Sequence, residues 1–163
     1  MLISDTLENS DVMTNFLGKF SLPARPHGAV PNIPNNLDEL SDADLMNSYS
    51  EFMAWLSYAK TELVVAEIEE ERCANNLRLT EAKTLIAQWS GEKGDTVTLA
   101  KARRDIDENV ILLQDQLLAS RAYRKLVESV FERCERGTQI LSRELSRRIS
   151  TAPQERRLSR YAP

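Results

Sequence analysis

The chain has 163 residues and holds little of what most catalytic sites are made from. It has one histidine, His27, and two cysteines, Cys73 and Cys134. A zinc site draws on Cys and His in close pairs, and neither residue repeats at such spacing. His27 lies beside Gly28 in a proline-rich stretch with no acid or base partner near it, which marks it as solvated rather than catalytic. No phosphate-binding glycine loop, H-E-x-x-H pattern or serine elbow occurs. The acidic run Glu67, Glu69, Glu70 and Glu71 lacks the Glu-x-x-His pairs of a carboxylate metal bundle and reads as a solvated helix face. Neither enzymatic activity nor a cofactor or metal is expected. Aromatics make up 6% of the chain and there are five glycines, too little punctuation for an all-β protein. No apolar run approaches membrane-spanning length, and Met1–Asp5 does not open a basic and then apolar leader. A soluble, cytoplasmic protein is expected.

What is present is helical periodicity. About fifty residues on either side of Trp89-Ser90-Gly91-Glu92-Lys93-Gly94-Asp95-Thr96 carry apolar residues at helical spacing. Gly91 and Gly94 are suited to close one helix, and Asp95 or Thr96 to cap the next. The expected fold is all-α: a long antiparallel, coiled-coil-like helical hairpin with an extended proline-rich N-terminal arm. The expected divisions are an arm over 1–36, a hairpin domain over 37–150 turning at 90–95, and a basic tail over 151–163.

Helix one is expected from Leu37 or Ser41, where Ser41-Asp42-Ala43-Asp44 resembles a capping box. Its seam reads Leu45, Tyr49, Phe52, Leu56, Ala59, Leu63, Ala66, Glu70, Cys73, Leu77, in steps of four and three. Ala82, Leu85, Ile86 and Trp89 extend the apolar face toward the turn. Met53, Trp55 and Tyr58 widen it, enough for a third helix or another subunit. Helix two, from Asp95 or Thr96, carries Ile106, Val110, Leu113, Leu117, Ser120, Arg124, Val127, Phe131, Cys134, Thr138, Leu141, Leu145. A plain hairpin register sets Arg124 opposite Leu63, so a pair between Arg124 and Glu70 is expected only from a neighbouring subunit. A second line runs through Leu112, Leu118, Tyr123, Leu126 and Val130. Pro153 should end any helix. In such a hairpin Cys73 and Cys134 stand about 30 Å apart at the helical rise, too far for a disulfide, and both read as small core residues.

Packing within the chain or between copies is therefore assigned to Leu45, Tyr49, Phe52, Trp55, Leu56, Trp89, Leu113, Leu117, Arg124 and Phe131. A two-helix hairpin has much surface and little interior, so a homo-oligomer is expected.

The net charge of −4 hides an asymmetry. Residues 1–95 hold 7 Lys and Arg against 16 Asp and Glu, a net of −9; residues 96–163 hold 14 against 9, a net of +5. Either the acidic and basic helices complement each other in an assembly, or the basic half meets an anionic partner. The nucleic-acid-binding candidates are Lys93 at the turn, Lys101, Arg103 and Arg104 on the expected first turns of helix two, and Arg143, Arg147 and Arg148 at its basic end. Exposed N–H groups at a helix start would add to the pull on phosphates. Trp89 and Tyr123 are either core residues or stacking surfaces for unpaired bases.

Tyr49-Ser50, Trp55-Leu56, Trp89-Ser90-Gly91, Gly94-Asp95 and Ile111-Leu112-Leu113 with a basic end resemble the UvsY-like recombination mediators of tailed phages, over roughly residues 41–148. The resemblance implies homo-oligomers of helical hairpins that bind single-stranded DNA and help to load a RecA-type recombinase, with contacts to that recombinase and to single-strand-binding protein. It places Lys93, Lys101, Arg103 and Arg104 at the DNA. The competing class is a phage virion or scaffold structural protein that assembles through its coiled-coil hairpin, and a third is a small adaptor.

Overall fold

The structure is a computed structural model that describes residues 22–89 and 96–161, with side chains described to residue 151. All regular structure among them is helical. A single 3-10 turn, Leu37–Glu39, precedes α1, Asp42–Gln88; α2 is Val97–Asp105 and α3 is Glu108–Tyr161. The expected turn at 90–95, with Lys93, and the expected arm before residue 22 lie outside the described residues.

The caps explain the boundaries. Ser41 Oγ accepts from Asp44 N at 3.1 Å and donates to Asp44 Oδ2 at 2.6 Å. This is the expected box with one change: Asp is a methylene shorter than Glu and meets the Ser41 hydroxyl instead of its backbone N–H. Thr96 opens α2, its side chain accepting from Leu99 N at 3.3 Å. Helix two is not continuous as expected. It breaks at Ile106-Asp107, where Asp107 Oδ1 accepts from the N–H groups of Asn109 and Val110 at 3.0 and 3.4 Å. Asp is a better cap than helix-interior residue, and that preference starts α3 afresh. Ile106, expected to begin the second seam, is 73% exposed in this break. At the other end α3 runs through Pro153 to Tyr161. Proline there removes one bond, from its own missing N–H to Ile149, and the turns beyond keep theirs.

The chain divides into two compact units. One, here the mid-chain unit, is Glu62–Val127. The other, the arm-bearing unit, joins the described residues up to Thr61 with those from Glu128 onward.

In the arm-bearing unit α1 and α3 run antiparallel. Arg148 of α3 reaches Asp42 at the start of α1, and Gly137, earlier in α3, backs onto Phe52, later in α1. Leu45, Phe52, Trp55, Cys134 and Leu141 form the core. The face widened by Trp55 and Tyr58 is covered by the chain itself: Val30, Ile33, Leu37 and Leu40 pack on this core, and the Arg25 guanidinium stands 6.0 Å from the centre of the Trp55 ring. Trp55 also meets Tyr58 edge-on. Met53 lies apart from this cover and is 39% exposed. Gly137 has a steric reason. A Cβ there would stand 2.9 Å from Cζ of Phe52, and nearer still to Cδ1 and Cε1.

In the mid-chain unit the seam follows the expected spacing. Ala66, Val110, Leu117 and Val127 are buried, while Leu63, Glu70, Cys73, Leu113, Ser120 and Arg124 are half-buried. Ala100 of α2 is buried as well. Of the expected extension toward the turn, Leu85 is half-buried, but Ala82 is exposed, Ile86 is 75% and Trp89 55% exposed, so Trp89 is no part of the core. The second line of α3 is open, with Leu112, Leu118 and Leu126 at 57, 66 and 68%.

Candidate functional site

The basic residues expected to bind nucleic acid fall into two groups, each in its own unit. In the mid-chain unit, Lys101, Arg103 and Arg104 lie on α2. The break at Ile106 changes their setting: Arg103 and Arg104 occupy the last turn of a nine-residue helix, not the first turn of a long one. There they complement the negative end of the helix dipole, and no array of free N–H groups stands beside them. Arg104 is tied to Asp105, its Nε and Nη2 donating to Oδ1 at 2.9 and 2.6 Å. Arg103 Nη1 donates to the carbonyl of Gln88 at 3.4 Å, linking α2 to the end of α1 beside Trp89. Lys101 is exposed.

In the arm-bearing unit, Arg147 and Arg148 meet partners of their own chain. Arg148 Nη1 donates to the Leu40 carbonyl at 2.8 Å and to Asp42 Oδ1 at 2.7 Å; its Nη2 donates to the Leu37 carbonyl at 2.7 Å. These acceptors lie where the 3-10 turn hands over to α1, the Leu37 carbonyl also accepting from Leu40 N at 3.4 Å, and a guanidinium fork suits several at once. Arg148 Nε and Arg147 converge on Glu144, at 2.7 to 2.8 Å, and Arg147 also reaches Asp38 at 2.9 Å. Two guanidiniums, Arg147 first and then Arg148, hold the Glu144 carboxyl down at about 2. Arg133, not singled out in the sequence, performs a similar task one section earlier in α3. Its Nη2 donates to the Pro31 carbonyl at 3.0 Å, and to Val30 O at 3.5 Å and the Asn32 side chain. An arginine spaced fifteen residues from Arg148 on one helix was the available signal, but its partner segment carries no periodicity to match it to.

Arg143 is placed differently. It lines a shallow groove of about 350 Å³ with Tyr49, Met53, Thr138, Gln139 and Ser142. No ion pair joins it to another described side chain.

The polar seam positions pair within the chain. Arg124 Nε donates to Glu70 Oε2 at 2.6 Å and Arg121 Nε to Glu70 Oε1 at 3.1 Å. The expectation that Glu70 would come from a neighbour is corrected. Helix side chains lean toward their own N-terminus, so in an antiparallel pair Arg124 leans away from Leu63 and toward Glu70. The Glu70 carboxyl is held below its ordinary value, by Arg124 above all, with burial opposing. Nearby, the Tyr123 hydroxyl donates to Glu62, which is 6% exposed. Tyr123 itself is 38% exposed, at the rim and not in the core.

Cys73 and Cys134 are both free. Burial raises both thiols; at Cys73 the Glu69 carboxylate raises it further, while at Cys134 the Arg133 charge works the other way. Thiols shifted upward are weak nucleophiles. Among the described residues no group of three His, Cys, Asp or Glu side chains could hold a metal ion, and no helix is long and apolar enough to cross a membrane.

No family model, curated protein or solved structure matches the chain.

Proposed function

We propose that the chain is a non-enzymatic structural protein that assembles with copies of itself, of the kind found in phage virions or scaffolds. It would be a coiled-coil-like antiparallel hairpin turning at 90–95, with residues 1–36 as an N-terminal arm. The observation that carries this reading is the open face of α3, where Leu112, Leu118 and Leu126 are 57 to 68% exposed along one line of the mid-chain unit. Large leucines left exposed along a helix offer an association surface. Sedimentation velocity tests it. The native chain is expected to form an oligomer at micromolar concentration, and Leu118→Gln with Leu126→Gln to shift it to monomer with helical circular dichroism unchanged. A native chain that stays monomeric sinks the reading.

A second reading is a phage recombination accessory factor that binds single-stranded DNA and assists a RecA-type recombinase, alongside single-strand-binding protein. What favours it is Trp89, 55% exposed and next to Gln88, which accepts from Arg103, with Lys101 exposed on the same short helix as Arg103. An aromatic face beside cations is how unpaired bases are held without sequence preference. Anisotropy of a labelled single strand across a salt series, with duplex as control, tests it. The reading requires affinity that falls steeply with salt, prefers single strand and drops in Trp89→Ala and Lys101→Ala.

A further inference from the structure

Within the mid-chain unit, α1 carries apolar residues on two faces. Its seam, Leu63, Ala66, Glu70, Cys73 and Leu77, is buried or half-buried. Nearly opposite runs a second stripe: Val64, Ile68, Asn75, Leu79, Ala82 and Ile86, in steps of four, seven, four, three and four. At 3.6 residues per turn these positions fall within about 60° of one another, over about 33 Å of helix. Val64, Ile68, Leu79 and Ile86 are 41 to 75% exposed, and Asn75 and Ala82 are exposed too. Ala82 and Ile86, expected to extend the seam, belong to this stripe, which is why they do not bury. Apolar residues kept at such spacing over about three heptads are the pattern of a helix face that meets another helix.

The order of residues along the stripe names its occupant. Asn75 stands at the centre: Ile68 and Ala82 are each seven residues away, Val64 and Ile86 each eleven. A second copy of the stripe, laid antiparallel about this centre, brings Val64 and Ile68 of one chain to Leu79, Ala82 and Ile86 of the other. A two-fold axis makes each contact twice. The two Asn75 amides, each both donor and acceptor, fall together in the middle. Charge agrees with this direction. Glu71 and Arg78 line one flank of the stripe, four residues before the centre and three after it, so each meets the other across the axis. Both are exposed, and neither forms an ion pair with another described residue. A parallel pairing would join opposite flanks instead. It sets Glu67 beside Arg72 but Arg78 beside Lys83, like charge on like.

We propose that this stripe of α1 is a second self-association surface, which pairs antiparallel with the same stripe of another copy. The contact goes beyond the assembly through α3 and does not rest on it, because it uses a different helix face. Two such stripes bury less than the roughly 1,000 Å² of a stable interface, so the contact holds at submillimolar rather than micromolar concentration.

Sedimentation equilibrium tests it on the full chain carrying Leu118→Gln and Leu126→Gln, from micromolar to submillimolar concentration. The expected result is a monomer–dimer equilibrium at the upper end, lost when Ile68→Gln and Leu79→Gln are added. Arg78→Glu in the same background should raise the dissociation constant roughly tenfold at low salt, and Glu71→Arg added to it should restore the dimer. A monomer at every concentration overturns the proposal. So does a dimer that Arg78→Glu strengthens, the mark of the parallel pairing. Photo-crosslinking of the chain without the α3 changes gives an independent reading. With p-benzoylphenylalanine in place of Leu79, in an equal mixture of 14N and 15N protein, the expected crosslink joins the two isotopes through the peptide of residues 61–72. A crosslink to residues 79–83, or none between isotopes, overturns the antiparallel contact. None of these outcomes decides the α3 reading, which is tested by the native chain at micromolar concentration.

Discussion

The arm-bearing unit and the mid-chain unit draw on the same two helices and finish them differently. In the first, aromatic and aliphatic side chains meet, Phe52 closes on a glycine, and residues 30–40 lie on the pair as a third layer. In the second, the seam carries an ion-paired Glu70 and Arg124 and a tyrosine bonded to a buried glutamate, and large apolar residues face outward. Two helices alone leave most of each cylinder uncovered, so their stability depends on what else can be laid against them. Where the chain supplies that layer, three arginines hold its backbone carbonyls, charged residues or side-chain amide. In the mid-chain unit, polar pairs occupy the seam and leucines of α3 stand exposed among the described residues.

The sharpest way to break this contrast is at Phe52. It is fully buried, and Phe52→Ala should destabilise the chain by about 3–5 kcal/mol through lost burial and a cavity. The loss is read as a lower urea midpoint by circular dichroism. Val127→Ala in the mid-chain unit should cost less, about 1–2 kcal/mol, because only a small side chain is removed at a 9% exposed site. Equal losses would mean that the two units are packed alike.

Gly137→Ala comes next. Alanine in a helix interior is ordinarily favoured over glycine by about 1 kcal/mol. Here the added methyl meets the Phe52 ring, and overpacking of about 1–3 kcal/mol should turn the gain into a net loss. Phe52→Leu combined with Gly137→Ala should recover part of it. A stabilised single variant would show that the ring moves freely.

The third layer can be loosened without touching the core. Arg148→Met removes the donors to the Leu37 and Leu40 carbonyls and should speed proteolysis within residues 22–40 at least tenfold, since even one bond from a charged donor contributes about 1.5 kcal/mol. Cleavage within 108–127 should not change. The same clamp gives a pH signature. The Glu144 carboxyl is depressed from 4.5 to about 2 by Arg147 and Arg148. A depressed acid contributes stability that is fully present above its unfolded value and is lost as pH falls through the folded one. The arm should therefore loosen between pH 4.5 and about 2, and Glu144→Gln should flatten that part of the profile. A loosening centred above pH 5 would point to another group.

Much of this architecture was legible in the heptad spacing. Nearly every seam residue from Leu45 to Leu77 and from Val110 to Leu145 is buried or half-buried, because period alone decides which face of a helix meets a neighbour. What periodicity does not contain is the third dimension of contact. The break at Asp107 was hidden because Asp-Ile-Asp-Glu-Asn reads as a polar helical turn until the cap is seen. The arm has no period, so nothing matched its carbonyls to Arg133 and Arg148, and four of the residues proposed for nucleic acid, Arg103, Arg104, Arg147 and Arg148, have partners within the chain. Of the candidate site, the positions of the cations were readable; their partners depended on chain segments far away in sequence.

The smallest expected effect lies in the seam of the mid-chain unit and bears most directly on why the two units differ. Glu70 and Arg124 are about a quarter exposed, so their pairing is screened and its net contribution is small. Replacing both, Glu70→Leu with Arg124→Leu, should leave stability unchanged or raise it by about 1 kcal/mol, because well-packed apolar residues serve as well as an ion pair at such a site. Replacing only Arg124 should be worse than replacing both, since Glu70 would keep a weaker partner in Arg121, whose bond is 3.1 Å long. If the pair exists to fix register, the double variant should keep its stability and lose its uniqueness: sedimentation would show a mixture of species, as when a polar residue is removed from a coiled-coil seam. One sharp species in the double variant would instead show that register is set by the aromatic core and the arm, and that the polar seam follows from it.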